Sequence, residues 1–261
     1  LTKKIDEILP DDKFREFIEK IEHIVANIDV PINKSQYRAT DIRSPEWIHL
    51  EIEQRIRAIG DIVITSELSQ KKQIEDAILL FRDWMLNGTI VRIIGAGRAK
   101  LAGSIPASRL AHGGARVYIK EDIIPMPHTS KGGGIIAVSA SGKTRAVLED
   151  LKDVRAKAKH IKIVGFANKD AIEFSKYCDI FIGIDLDIER TVQLKALADI
   201  GEYAISELFD AMVVAAGKMA GFHEIDWRIG HENIGGSTGH YDAIGNDDEL
   251  KNYFENYSPK Q

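Results

Sequence analysis

The sequence holds a single cysteine, Cys178, among 261 residues. One thiol excludes an intramolecular disulfide framework and fits a reducing, cytoplasmic location. Charge of one sign is not in large excess either. There are 35 Lys and Arg against 40 Asp and Glu, a formal net charge of −5. A dedicated nucleic-acid binder would be basic, and no polybasic block occurs, so no nucleic-acid partner is expected. Long apolar runs are missing. The best candidate, Ala211 to Phe222, is short for a membrane span and carries Lys218. No membrane association is expected. The opening residues Leu1-Thr2-Lys3-Lys4 lead into an acidic amphipathic stretch, not a signal-peptide core. Seven prolines and 21 glycines are too few for a low-complexity chain. What the chain does have is 44% apolar residues, enough for a substantial core.

The hydrophobic rhythm divides the chain in three. Residues 1–88 read as a helical extension. Phe14, Phe17, Ile18, Ile21, Ile24, Val25 and Ile28 mark one helix face. Ser44-Pro45-Glu46 predicts a second helix start, with Ser44 as cap. That helix carries Trp47, Ile48, Ile52, Ile56 and Ile59 and is expected to stop near Gly60. A third helix is expected over Ser66 to Met85, with Leu68, Ile74, Ile78, Phe81 and Trp84 inward, closed by Asn87-Gly88. Trp47 and Trp84 read as core anchors rather than sugar platforms.

Residues 89–190 change period. Strands are predicted at Ile90–Ile94, Arg116–Ile119, Ile135–Val138, Ile161–Gly165 and Asp179–Ile184. Helices are predicted from Gly97 to His112, Lys143 to Lys159 and Asp170 to Tyr177. Strands alternating with helices at this spacing make an α/β domain, a parallel sheet covered on both faces, with ligands at its carboxyl edge. Residues 191–261 complete the same domain. They hold a helix over Glu202 to Ala220, as much an oligomer contact as a core element, and a Gly- and His-rich arm.

Two strands end in sequences suited to an anion. Gly95-Ala96-Gly97-Arg98 lets backbone approach a ligand, offers helix N–H groups and adds a fixed positive charge. Ser139-Ala140-Ser141-Gly142-Lys143-Thr144 gathers three hydroxyls, a glycine and a cation before a helix, a good phosphomonoester cradle. Two nucleotide readings compete. A dinucleotide fingerprint would need glycine where Lys100 stands, although Glu121 could mimic its ribose-binding acid. Ala137 to Thr144 fits a relaxed P-loop, with Asp185 on a distant metal-binding strand, but the loop has only one glycine. A P-loop-like NTPase is therefore a remote alternative.

Gly95 to Arg98, Ala107-Ser108-Arg109-Leu110, Gly114 and Ile135 to Thr144, in that order, resemble the sugar isomerase (SIS) domain, nearest to 6-phospho-3-hexuloisomerases and arabinose-5-phosphate isomerases. The resemblance spans about Thr89 to Asp185. It implies a five-stranded parallel sheet flanked by helices, a flavodoxin-like three-layer arrangement, with phosphosugar binding and a homodimer or homotetramer. It implies no cofactor. Ser139, Ser141 and Thr144, with Gly142 between them, match the family's phosphate-binding loop, and Gly97 and Arg98 match its first loop. Two positions depart. Ala99 replaces a usual serine, and Lys143 stands where these isomerases often place a glutamate base. A protonated lysine cannot accept a proton, so it would strengthen anion binding.

Aldose–ketose isomerisation through an enediol needs a base near C1–C2 and an acid near the oxygens. The best candidate base is His231, which matches a histidine of the nearest relatives, with Glu232 to orient it. Glu202 is a lesser candidate. Lys143 would act as an electrostatic clamp. His128 could touch a sugar from its Pro-rich loop but reads more readily as a plain loop residue. His223, His231 and His240 with Glu224, Glu232 and Asp242 match no zinc spacing, so no metal is expected. The expected activity is phosphosugar isomerisation. A phosphosugar-sensing protein without turnover is the alternative, cued by Lys143.

Overall fold

The computed structural model describes residues 45–119, 132–187, 199–223 and 226–227. The chain separates into two compact units, Leu1–His49 and Leu50–Gln261, and nearly all described residues belong to the second. The predicted helix over Phe14 to Ile28 lies outside the described residues.

Two helices come first, α1 (Pro45–Ser69) and α2 (Lys71–Leu86). Then β1 (Ile90–Gly95), α3 (Gly97–His112), β2 (Arg116–Ile119) and β3 (Gly134–Ser139) follow. The rest is α4 (Arg145–Lys157), β4 (Lys162–Asn168), a single turn α5 (Ile172–Ser175), β5 (Ile180–Ile184) and α6 (Asp199–Met219). The five strands form one parallel sheet in the order β2-β1-β3-β4-β5. All five predicted strands form, with ends shifted by a few residues.

Alternate residues of each strand face opposite sides, and both sides are dry. Val91, Ile93, Ile136, Val138, Phe166 and Ile182 pack with α2, α3 and α6. Ile94, Ile135, Ala137, Ile163 and Ala167 pack with α4 and α5. On the first side an aromatic row fixes the helices to the sheet. Phe209 of α6 lies 5.2 Å from Phe166 and 5.4 Å from Phe81, centroid to centroid. The apolar face of α6 is thus spent inside the chain: Ile205, Phe209, Val213 and Ala216 have no exposure. The oligomer-contact reading of that face does not hold.

The helix boundary expected near Gly60 is also corrected. α1 runs through Gly60 to Ser69, because its buried stripe of Ala58, Ile62 and Ser66 continues past that point. A glycine inside a helix costs only about 1 kcal/mol relative to alanine, which such packing offsets. The break falls at Gln70 instead. Its side-chain amide donates to the Gly183 carbonyl at 2.6 Å and accepts from the Gly183 N–H at 2.7 Å. One side chain so satisfies both backbone groups of a residue on edge strand β5, where a neighbouring strand would otherwise pair. Leu68, expected inward, is 59% exposed, and Ile56 is 64% exposed. No helix among the described residues is long and apolar enough to cross a membrane.

Gln70→Ala leaves both groups of Gly183 without their partner. It should destabilise the fold by about 1–3 kcal/mol in urea or thermal unfolding. An unchanged midpoint would show that the latch carries no stability.

Candidate functional site

The sheet order reverses direction at β1 and β3. Chain order runs outward from β1 to β2 on one side, and through β3, β4 and β5 on the other. At such a switch point the following helices depart to opposite faces and leave a crevice beyond the strand ends. α3 and α4 do so, packing on opposite sides of the sheet. Gly95 and Val138 are register partners, so the loops after β1 and β3 leave the sheet side by side.

The first loop is shaped by two glycines. A Cβ on Gly95 would lie 2.8 Å from the Lys100 Cα, so only glycine lets α3 start this close to the strand. Gly97 has φ +55°, in the left-handed region. The residue preceding α3 is Ala96, which has no polar side chain to cap it. The free N–H groups of the first turn therefore point out from Gly97 and Arg98.

The second loop is more polar. Ser139 ends β3 and is buried, and its Oγ lies 3.1 Å from the Thr144 Oγ1. Ser141 is exposed, and its hydroxyl accepts the Lys143 backbone N–H at 3.2 Å. Gly142 has φ +64°, and a Cβ there would fall 2.2 Å from the Ala171 methyl. The loop is thus wedged against the loop after β4. Thr144 is the N-cap residue of α4, yet its side chain makes no capping bond. Neither α3 nor α4 carries an acidic residue in its first turn. Two helix N-termini with unspent positive dipole ends therefore meet at the switch point. Lys143 is exposed beside the second.

Of the candidate residues, the fold brings Gly97 and Arg98 next to Ser139, Ser141, Gly142, Lys143 and Thr144. His231, Glu232, His128 and His240 lie outside the described residues. His223 is exposed, and its backbone N–H donates to Asp226 Oδ2 at 2.7 Å. Among the described residues no group of three His, Cys, Asp or Glu could hold a metal ion. Asp185, which a P-loop reading would need for a metal, is engaged by Lys169 at 2.8 Å. That hydrogen bond holds its carboxyl below the ordinary range. The thiol of Cys178 is pushed up to about 12 by burial and is no nucleophile.

One residue gains weight from the structure. Glu202, in the first turn of α6, has a side chain only 13% exposed, and its Oε2 lies 2.9 Å from the Arg98 Nε. The two residues are 104 positions apart, so no local sequence signal could pair them. A cavity of about 310 Å³ lies elsewhere, between α4 and the sheet, lined by Arg92, Ile135, Asp153 and Val154 among others. It contains none of the loop residues above and sits toward the opposite end of the strands.

No family model matches the chain, and no curated protein matches it. Solved structures do. A protein described only as hypothetical superposes with a TM-score of 0.59 at 21% identity, over 71% of this chain and 98% of its own. A protein of Methanococcus jannaschii, whose structure infers a molecular function of 3-hexulose-6-phosphate isomerase, gives 0.53 at 19% identity, over 69% and 98%. A protein of E. coli CFT073 in complex with arabinose 5-phosphate gives 0.54 at 16% identity, over 75% and 100%. The chain has the SIS fold. Its five parallel strands and both flanking helix layers agree with what the sequence implied. In SIS terms, the two loops described above stand at the carboxyl edge of the sheet's first and third strands.

If the second loop holds a phosphate, Ser141→Ala with Thr144→Val should weaken sugar-phosphate binding about ten- to a hundredfold. That is the loss expected when one or two hydrogen bonds to a charged group are removed. Calorimetry giving the wild-type dissociation constant would refute the role.

Proposed function

We propose that this protein binds a phosphosugar at the β1/β3 crevice and isomerises it through an enediol. The observation that carries the reading is the meeting of two uncapped helix N-termini with the hydroxyl-lined Ser139–Thr144 loop. A phosphate dianion accepts several hydrogen bonds at once and is favoured at a helix N-terminus. The hydroxyls of Ser139, Ser141 and Thr144 and the first-turn N–H groups of α4 supply donors on one side. Gly97 and Arg98 supply them on the other. Lys143 adds a mobile cation, suited to the phosphate or to a developing enediolate oxygen.

Proton transfer between adjacent carbons needs a group that can take and return a proton. His231 has the right pKa class for this near neutral pH, and Glu232 is placed in sequence to orient it. Glu202 is the second candidate base, favoured by its position beside the first loop. No metal or nucleotide enters this chemistry. A homo-oligomer, dimer or tetramer, is part of the same reading. It is supported by Ile56 on α1 and Leu101 and Ile105 on α3, each more than 60% exposed. The competing reading, a phosphosugar sensor without turnover, is favoured by Lys143 in place of a glutamate.

The test is turnover of pentose and hexose phosphates in deuterated water, followed by loss of the exchangeable carbon-bound proton. Wild type should exchange and interconvert at least one of them. His231→Ala should lower turnover about a hundredfold or more with binding kept, the usual range for a lost acid–base group. Full turnover in that variant would move the base to Glu202. Tight binding of several sugar phosphates with no exchange in any would favour the sensor.

A further inference from the structure

We propose that Arg98 is a positioning residue that fixes the Glu202 carboxylate, in its ionised form, at the wall of the crevice. This deepens the phosphosugar reading of the same site and rests on it for its functional meaning.

α3 and α6 are tied by two ion pairs. The upper one joins their first turns, Arg98 Nε to Glu202 Oε2 at 2.9 Å. The lower one, Arg109 Nε to Asp210 Oδ1 at 2.8 Å, lies about three turns further along α3 and about two along α6. The lower pair, with the buried apolar seam between the helices, already sets how they pack. The upper pair differs in acting on a nearly buried carboxylate. Glu202 is 13% exposed, whereas Asp210 is 30% exposed. Burial alone favours the neutral acid, and an adjacent guanidinium, always protonated, reverses that preference. The N-terminal end of α6 pushes in the same direction.

The contact is at ion-pair distance through one guanidinium nitrogen, Nε. Arg98 is half exposed and belongs to the anion loop. It can therefore hold Glu202 on one edge and meet a ligand oxygen on another. Of the other charged groups on the elements packed here, Arg55 of α1 lies over the ring of Tyr203 at 5.7 Å, and Lys100 follows Arg98 on α3.

The experiment is a carbon-13 NMR titration of the Glu202 carboxyl in the ligand-free full chain, assigned with Glu202→Gln. Arg98→Gln should move its midpoint to higher pH by roughly one unit or more, the size expected when a contacting guanidinium is lost. Arg98→Lys should restore most of that shift. Arg109→Gln, which cuts the lower tether, should leave it unmoved. An unmoved midpoint in both Arg98 variants overturns the proposal. So does an equal shift in Arg109→Gln, which would mean a loosened helix pair and no specific positioning. The titration needs no turnover, so its outcome is separate from that of the isomerase assay.

Discussion

The reversal of strand order between β1 and β3 is the constraint on which the rest of the structure depends. Adjacent parallel strands, paired at Gly95 and Val138, send their helices to opposite faces of the sheet. The two first turns then diverge above a gap that no strand fills. Backbone N–H groups, which a helix cannot satisfy in its first turn, line that gap from both sides. A ligand that brings negative charge and several acceptors answers all of them together. Nothing about the apolar core specifies a sugar phosphate, but the core fixes where these two turns stand.

Tight backbone contacts keep the gap in shape. Gly95 admits the start of α3, Gly142 admits the neighbouring Ala171, and Gly103 of α3 would place a Cβ 2.8 Å from the Val138 side chain. Each is a place where an added methyl would push one of the two loops or its helix away from its neighbours. The hydroxyls are meanwhile satisfied within the loop, Ser139 against Thr144 and Ser141 against the Lys143 N–H. A ligand bound there would meet a loop already held by its own hydrogen bonds, at less ordering cost. The ion pair between Arg98 and Glu202 adds the only nearly buried carboxylate among the described ion pairs at this edge.

Much of this was legible in the sequence, for a physical reason. Each strand is a short apolar run bounded by turn residues, and the loops with special chemistry sit at strand ends where composition changes abruptly. β2 matches its predicted bounds, Arg116–Ile119. Failures came where a distant partner decides. Gly60 reads as a stop by local propensity, but the stripe of Ala58, Ile62 and Ser66 carries the helix on, and the break is set at Gln70 by a residue 113 positions away. The apolar face of α6 could not be assigned to core or to a second subunit until Phe81 and Phe166 were found against Phe209. Ser139, Ser141 and Thr144 could be grouped from spacing alone. The pairing of Arg98 with Glu202 could not, because it depends on how α3 and α6 lie together.

On the reading proposed above, the β1/β3 crevice receives the phosphate of a sugar. A crystal structure of the full chain with a pentose or hexose phosphate tests it directly. Phosphate oxygens are expected within hydrogen-bond distance of the hydroxyls of Ser139, Ser141 and Thr144 and the first-turn N–H groups of α4, with the sugar chain running toward Arg98 and Glu202. A phosphosugar bound at the Arg92 cavity while this loop stays empty would contradict it.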